Sequence, residues 1–180
     1  MTDLLAALAA ALPPPRLALI GAVARNAWAP PRATSDLDLA VAATEDALAA
    51  ADAALAALGF RCVRRQQAQA ADALPDLLVY RRDAGEPRQV DLLVAKTAFE
   101  EEALRRAVAV DLPGARIPAA TPEDLIVYKL LADRPRDRDD VRAILATQER
   151  AGRAIDWAHV ERWCAYWEIG DRLARLRGGG

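Results

Sequence analysis

The stretch LIGAVARNAWAPPRATSDLDLAV, residues 19–41, decides how the chain is read. An apolar run, LALI at 17–20, ends at Gly21 as a buried strand would. Residues 22–29, AVARNAWA, predict a helix opened by that glycine and closed by Pro30-Pro31. Residues 36–42, DLDLAVA, then alternate strictly. Leu37, Leu39 and Val41 take one face; Asp36, Asp38 and Ala40 take the other. Strand interiors are poor places for Asp, and at period two these carboxylates stand about 7 Å apart on one face. A divalent cation would offset their repulsion. A solvent-facing edge strand, where charge discourages aggregation, is the other reading.

Working outward, the same oddity recurs at Asp91. LLVYRR at 77–82 and RQVDLLVA at 88–95 flank DAGEP and predict a hairpin. Asp91 lies between Val90 and Leu92, so its carboxylate points away from the apolar face. If its strand lies beside that of Asp36 and Asp38, three carboxylates converge. Hard oxygen ligands in that number suit Mg²⁺ or Mn²⁺.

Helices are predicted over 2–12, stopped by Pro13-Pro14-Pro15, and over 44–58, with Thr44 as N-cap and Gly59 at the C-terminal side. A helix over 97–107 precedes an extended piece at 108–118 broken by Pro113-Gly114. Thr121-Pro122-Glu123-Asp124 announces a helix running to about 133, with a Thr cap, Pro at the first position and an acid three residues after the cap. Pro135 breaks the chain before a helix at 137–148. The tail, 156–176, reads as helical with Trp157, Trp163 and Trp167 forming a packing face, and Gly178-Gly179-Gly180 as a disordered end.

Composition narrows the function. The chain has 180 residues, enough for one domain or one domain with a small appended subdomain. Its 24 Lys and Arg against 26 Asp and Glu leave no basic excess, so a protein that coats nucleic acid is not expected. No apolar run approaches the ~18 residues of a membrane span, and the N-terminal stretch lacks the basic start of a signal peptide. A cytoplasmic protein with no membrane partner is expected. Cys62, Cys164 and the single histidine, His159, show no metal-ligand spacing. Both cysteines read as small apolar residues, and His159 as a surface or helix-packing residue.

Only two lysines occur, Lys96 and Lys129. Lys129 falls on a helix that is apolar nearly all round, so it either snorkels out or meets an anion such as a nucleotide phosphate. Arg25 and Arg32 flank the turn at Gly21 and suit bidentate phosphate contacts, or pairing with surface acids. Asp137 and Asp140 read as first-turn acids favoured by the helix dipole, or as groups holding Arg136 or the site face.

The stretch 19–41 resembles the signature of the nucleotidyltransferase fold, the DNA polymerase β superfamily: a Gly-[Gly/Ser] turn, a helix, Asp-x-Asp on a strand and a third carboxylate on a later strand. More narrowly, Arg32-x-Thr34-x-Asp36-Leu37-Asp38 resembles the minimal bacterial nucleotidyltransferases of the AbiEii/MNT toxin–antitoxin type. EDLIVYKLLADRPRDRDDVRAIL, 123–145, resembles that branch too, through Lys129 and Arg136-Asp137…Asp140. The chain departs from the pattern at Ala22, where the family has Gly or Ser. Ala keeps the N–H that a phosphate-binding helix start needs but loses a hydroxyl.

The resemblance implies an α/β (α+β) fold: a mixed sheet flanked by helices over 1–120 and a C-terminal helical subdomain over 121–180. It implies transfer of a nucleoside monophosphate from an NTP to an acceptor hydroxyl. Asp36, Asp38 and Asp91 would hold Mg²⁺ or Mn²⁺, and Gly21, Ala22, Arg25, Arg32, Thr34 and Lys129 would bind the nucleotide. The acceptor could be a tRNA end, a protein or a small molecule such as an aminoglycoside, and a cognate antitoxin or toxin is a possible partner. The alternative is a catalytically degenerate member of the fold acting as a partner-binding module, a reading that Ala22 favours.

Overall fold

The computed structural model describes residues 1–66 and 76–178. In chain order the elements are α1 (Thr2–Ala11), β1 (Leu17–Ile20), α2 (Gly21–Arg25), β2 (Asp36–Val41), α3 (Glu45–Ala57), β3 (Arg61–Gln66), β4 (Asp76–Arg81) and β5 (Gln89–Val94). Then follow α4 (Ala98–Arg106), β6 (Val108–Leu112), β7 (Ala115–Ala119), α5 (Pro122–Ala132), α6 (Pro135–Arg150), α7 (Trp157–Tyr166) and α8 (Gly170–Gly178). The strands form one mixed sheet in the order β3-β4-β5-β2-β1-β7-β6. β2 runs antiparallel to β1 and parallel to β5. The architecture is therefore the mixed α/β sheet that the sequence predicts.

Alternation in β2 places Leu37 and Leu39 in a core with Leu8, Leu12, Leu55 and Leu92, all fully buried. Each such side chain contributes about 1.5–3 kcal/mol by leaving water. A second core gathers Phe99, Ile126, Val127, Val141, Val160 and Trp163 from α4 to α7. α5 is apolar nearly all round because it serves both: Leu125 enters the first core, and Ile126, Val127 and Leu130 enter the second. Its start is capped as the sequence predicts, with the Thr121 hydroxyl accepting from the Asp124 N–H.

Several elements differ from the sequence reading. The helix after Gly21 ends at Arg25 rather than at 29, because the Asn26 side chain diverts the chain by binding both the N–H and the C=O of Arg32. Residues 61–66, Arg-Cys-Val-Arg-Arg-Gln, form an edge strand without an alternating pattern, since nearly all of them are exposed. Cys62 is accordingly exposed, not packed; Cys164 is buried. The extended piece after α4 is a hairpin, β6–β7, that joins the main sheet beside β1. The expected break falls at Asp133 and Arg134, and α6 starts at Pro135 rather than at 137, with the proline in the first turn where its missing N–H costs nothing. The tail is two helices, separated near Glu168 at a φ of 54°. Gly178 closes α8, and the expected disordered end otherwise lies outside the described residues.

His159 packs helices but is buried rather than on the surface. Its Nε2 lies 2.7 Å from Oδ1 of Asp124, whose side chain is fully buried, joining α7 to α5.

Candidate active site

Parallel pairing of β2 with β5 sets Asp38 directly beside Asp91, and Asp36 beside Gln89. Adjacent strands are about 4.8 Å apart, so Asp36, Asp38 and Asp91 share one sheet face, with the N-terminal end of α2 against Asp38 and the last turn of α5 across the cleft. They line a cleft of about 630 Å³ with Gly21, Ala22, Arg32, Thr34 and Lys129. Burial and the neighbouring Asp36 raise Asp38 above the usual carboxylate range, partly offset by the Ala22 backbone N–H. Burial and Asp38 push Asp91 up to about 6, against the opposing donation from Gln89.

None of the three carboxylates is salt-bridged among the described residues. Asp36 Oδ1 accepts from the Ser35 hydroxyl at 2.9 Å, and Asp91 Oδ1 accepts from Gln89 Nε2 at 3.0 Å. They share the face without closing on one point: no three Asp, Glu, His or Cys side chains among the described residues gather tightly enough to enclose an ion. The donor set nonetheless fits a hard cation. Three oxygen donors share one face with no salt-bridged cation among the described residues, and hard oxygen donors of this kind suit a divalent ion.

The turn entering α2 is built around Asp38. Gly21 has a φ of +64°, and a Cβ there would lie 1.9 Å from Asp38 Oδ2. Only glycine meets both demands, so its role in the signature is steric as well as conformational.

The cations beside the carboxylates are already engaged. Lys129 is only 5% exposed; its ammonium donates to Asp137 at 2.9 Å and Asp140 at 2.7 Å, both nearly fully buried. Arg32 binds Asp140 bidentately, with both bonds at 3.0 Å. Arg134 holds Asp137 in the same way. Arg25 Nε lies 3.2 Å from Asp140 without hydrogen-bond alignment, while Nη1 donates to Asn26 and the Pro30 carbonyl. Hydrogen bonds from Arg32 and Lys129 hold Asp140 down to about 2, and those from Arg134 and Lys129 lower Asp137.

The structure thus gathers Asp36, Asp38, Asp91, Gly21, Ala22, Arg32, Thr34 and Lys129 around one cleft. Arg25 is not among them; it is buried behind the cleft, against Asp140. The anion met by Lys129 is internal. Asp137 and Asp140 hold Lys129, Arg32 and Arg134 rather than Arg136, which is exposed at the cleft mouth. Sequence reasoning missed Gln89, Arg134, Arg64 and Gln66 on the cleft wall. Gln89, two residues before Asp91 on one strand, was findable by period; Arg64 and Gln66 sit on the strand that had no pattern.

Comparison with known proteins bears on the fold and the family. No curated protein sequence matches the chain. Among solved structures, the antibiotic-resistance factor ANT(2″)-Ia aligns in solution at a TM-score of 0.57 and 16% identity, over 98% of this chain and 94% of that one. Its crystal structure with adenylyl-2″-tobramycin aligns at 0.54 and 16%, over 98% and 96%. MenT4, a nucleotidyltransferase toxin of Mycobacterium tuberculosis, aligns at 0.49 and 21%, over 89% of this chain and 60% of that one. The first two share the fold. Residues 3–166 match the family described as nucleotidyl transferase AbiEii toxin, type IV toxin–antitoxin system. That match spans nine-tenths of the chain, and the protein belongs to the AbiEii nucleotidyltransferase toxin family.

Proposed function

We propose that the protein transfers a nucleoside monophosphate from an NTP to an acceptor hydroxyl, using Mg²⁺ or Mn²⁺ held by Asp36, Asp38 and Asp91. The observation that carries this is the Asp38–Asp91 register beside Gly21, which puts three carboxylates on one face with no salt bridge among the described residues. When bound, such a cation neutralises phosphate charge and favours ionisation of the attacking hydroxyl. The chain's own groups do the rest. Gly21 lets the backbone of the turn lie against Asp38, where any side chain would intrude. Lys129, Arg32 and Arg134, clamped by Asp137 and Asp140, form a rigid wall of cations that orients the phosphates without reorganising. Asp91, on β5 beside Asp38, accepts the hydroxyl proton. Arg25 supports Arg32 by sharing Asp140.

An RNA end, a protein hydroxyl or a small molecule such as the tobramycin of the ANT(2″)-Ia complex are the acceptor classes. Membership of a type IV toxin–antitoxin family supports a cognate antitoxin as partner. Among the described residues no helix is long and apolar enough to cross a membrane. The test is incubation with each α-labelled NTP, Mg²⁺ and host RNA or lysate. Transfer of label by the wild type, lost in Asp38→Asn, is expected. No label from any NTP would favour a partner-binding module instead.

A further inference from the structure

The wall of cations hangs from one turn. α5 is closed by Asp133, whose backbone is left-handed at a φ of 46°, and α6 begins two residues later at Pro135. Lys129 stands in the last turn of α5 and Arg134 in the connection, and both line the cleft. The path of the chain through 133–135 therefore sets where both charges stand.

That path takes two helix carbonyls away from their usual donors. In a continuing helix the Leu130 carbonyl would accept from the N–H of Arg134, and the Leu131 carbonyl from the N–H of residue 135. Here the Arg134 N–H donates to Asp137 Oδ2 at 3.2 Å, and Pro135 has no N–H. Both carbonyls are served from α8 instead. Arg172 Nη1 donates to the Leu130 carbonyl at 2.9 Å and to the Leu131 carbonyl at 2.8 Å. Its Nε lies 3.7 Å from Asp133 Oδ2. A guanidinium placed there also meets the negative end of the α5 dipole. Arg172 does not line the cleft; it is carried by α8, whose Leu173 is buried in the second core.

Resting on the nucleotide-binding role proposed above for the cation wall, we propose that Arg172 is a positioning residue for the NTP. It fixes the end of α5 by its two carbonyls, and through that end it fixes Lys129 and Arg134. Without it the carbonyls are left to water and the left-handed Asp133 loses a charge partner. Lys129 and Arg134 then lose their fixed aim at the phosphates.

The test separates aim from stability. Each mant-labelled NTP, with Mg²⁺, is titrated into the full chain and followed by anisotropy, well below the melting temperature that each variant shows without nucleotide. Arg172→Ala should weaken binding of the NTP that the wild type prefers by about fivefold or more, and raise its KM in transfer by the same factor with kcat little changed. Arg172→Lys, whose ammonium has three donors, should restore most of the affinity. Arg175→Ala should keep wild-type affinity. At this turn Arg175 reaches only the Asp133 carboxylate, which Arg138 already holds through bonds of 3.0 and 3.1 Å. In an Arg134→Ala background the effect of Arg172→Ala should shrink, since one of the groups it aims is gone. If Arg172→Ala does not fold, Arg172→Gln, whose shorter amide serves one carbonyl, carries the same comparison. A cap that only stabilises would lower the melting temperature and leave wild-type affinity in the folded protein. That result, or equal weakening by Arg175→Ala, overturns the proposal. The two readings fail separately. No NTP bound by the wild type removes the nucleotide site and this proposal with it; wild-type binding and transfer matched by Arg172→Ala removes only the role of Arg172.

Discussion

Gly21 and Asp38 occupy one volume: a Cβ on Gly21 would lie 1.9 Å from Asp38 Oδ2 and 2.5 Å from its Cγ. The carboxylate rests against the backbone of the turn, so turn and strand form one unit. Gly21→Ala must displace Asp38 and also carry a φ of +64°, which costs about 1–2 kcal/mol in an L-residue. We expect a lowered melting temperature together with loss of transfer activity. Wild-type transfer in Gly21→Ala would show that Asp38 need not sit where the turn holds it.

Asp38→Asn should separate stability from activity. Asp38 is raised by burial and by Asp36, and Asp91 by burial and by Asp38, so their ionisation disfavours the metal-free fold. The sign is that of a raised acid: the native state binds the proton more tightly, and stability falls as pH rises from about 4 through about 6. Removing one charge should leave metal-free stability at pH 7 unchanged or higher by about 1–2 kcal/mol. Transfer should fall by orders of magnitude. Denaturant melts at pH 5 and 7, beside label transfer, check both halves.

The opposite wall titrates in the other direction. Asp140 is held down to about 2 and Asp137 is also lowered, so their stabilisation is present above the ordinary carboxylate range. It is lost as pH falls from about 4 toward about 2. The two walls therefore contribute opposite limbs, one lost below about pH 4 and the other between about pH 4 and about 6. Asp91→Asn should flatten the neutral limb and leave the acid limb in place, which a series of urea melts across pH resolves.

Lys129→Met should destabilise the fold. The ammonium is shared by Asp137 and Asp140, which are 1% and 3% exposed, and its removal leaves those carboxylates less compensated. Breaking one partner of a buried ion network costs about 3–5 kcal/mol; here Arg32 and Arg134 remain, so the lower end is expected. An unchanged melting temperature would contradict this. NTP titration of the surviving folded protein should give an affinity lowered about tenfold, because the cation wall loses both a charge and its geometry.

What the sequence by itself determined was local and periodic. Alternation at 36–42 put two aspartates on one face, Thr44 and Thr121 marked helix starts, and the order Gly21, Asp36, Asp38, Asp91 carried the family resemblance. Each depends on neighbours a few residues away, where backbone geometry alone decides which side chains share a face. The tertiary structure decided what pairing across the sheet and between helices settles. Parallel pairing of β2 with β5 brought Asp91 to Asp38 across 53 positions of chain. Packing of α6 against α5 gave Lys129 its carboxylates, and the same carboxylates drew Arg25 out of the cleft. β3 had no readable period because an exposed edge strand buries neither face, and Arg64 was hidden with it. Charge partners of this kind are chosen by distance in space, and a sequence records only the distance along the chain.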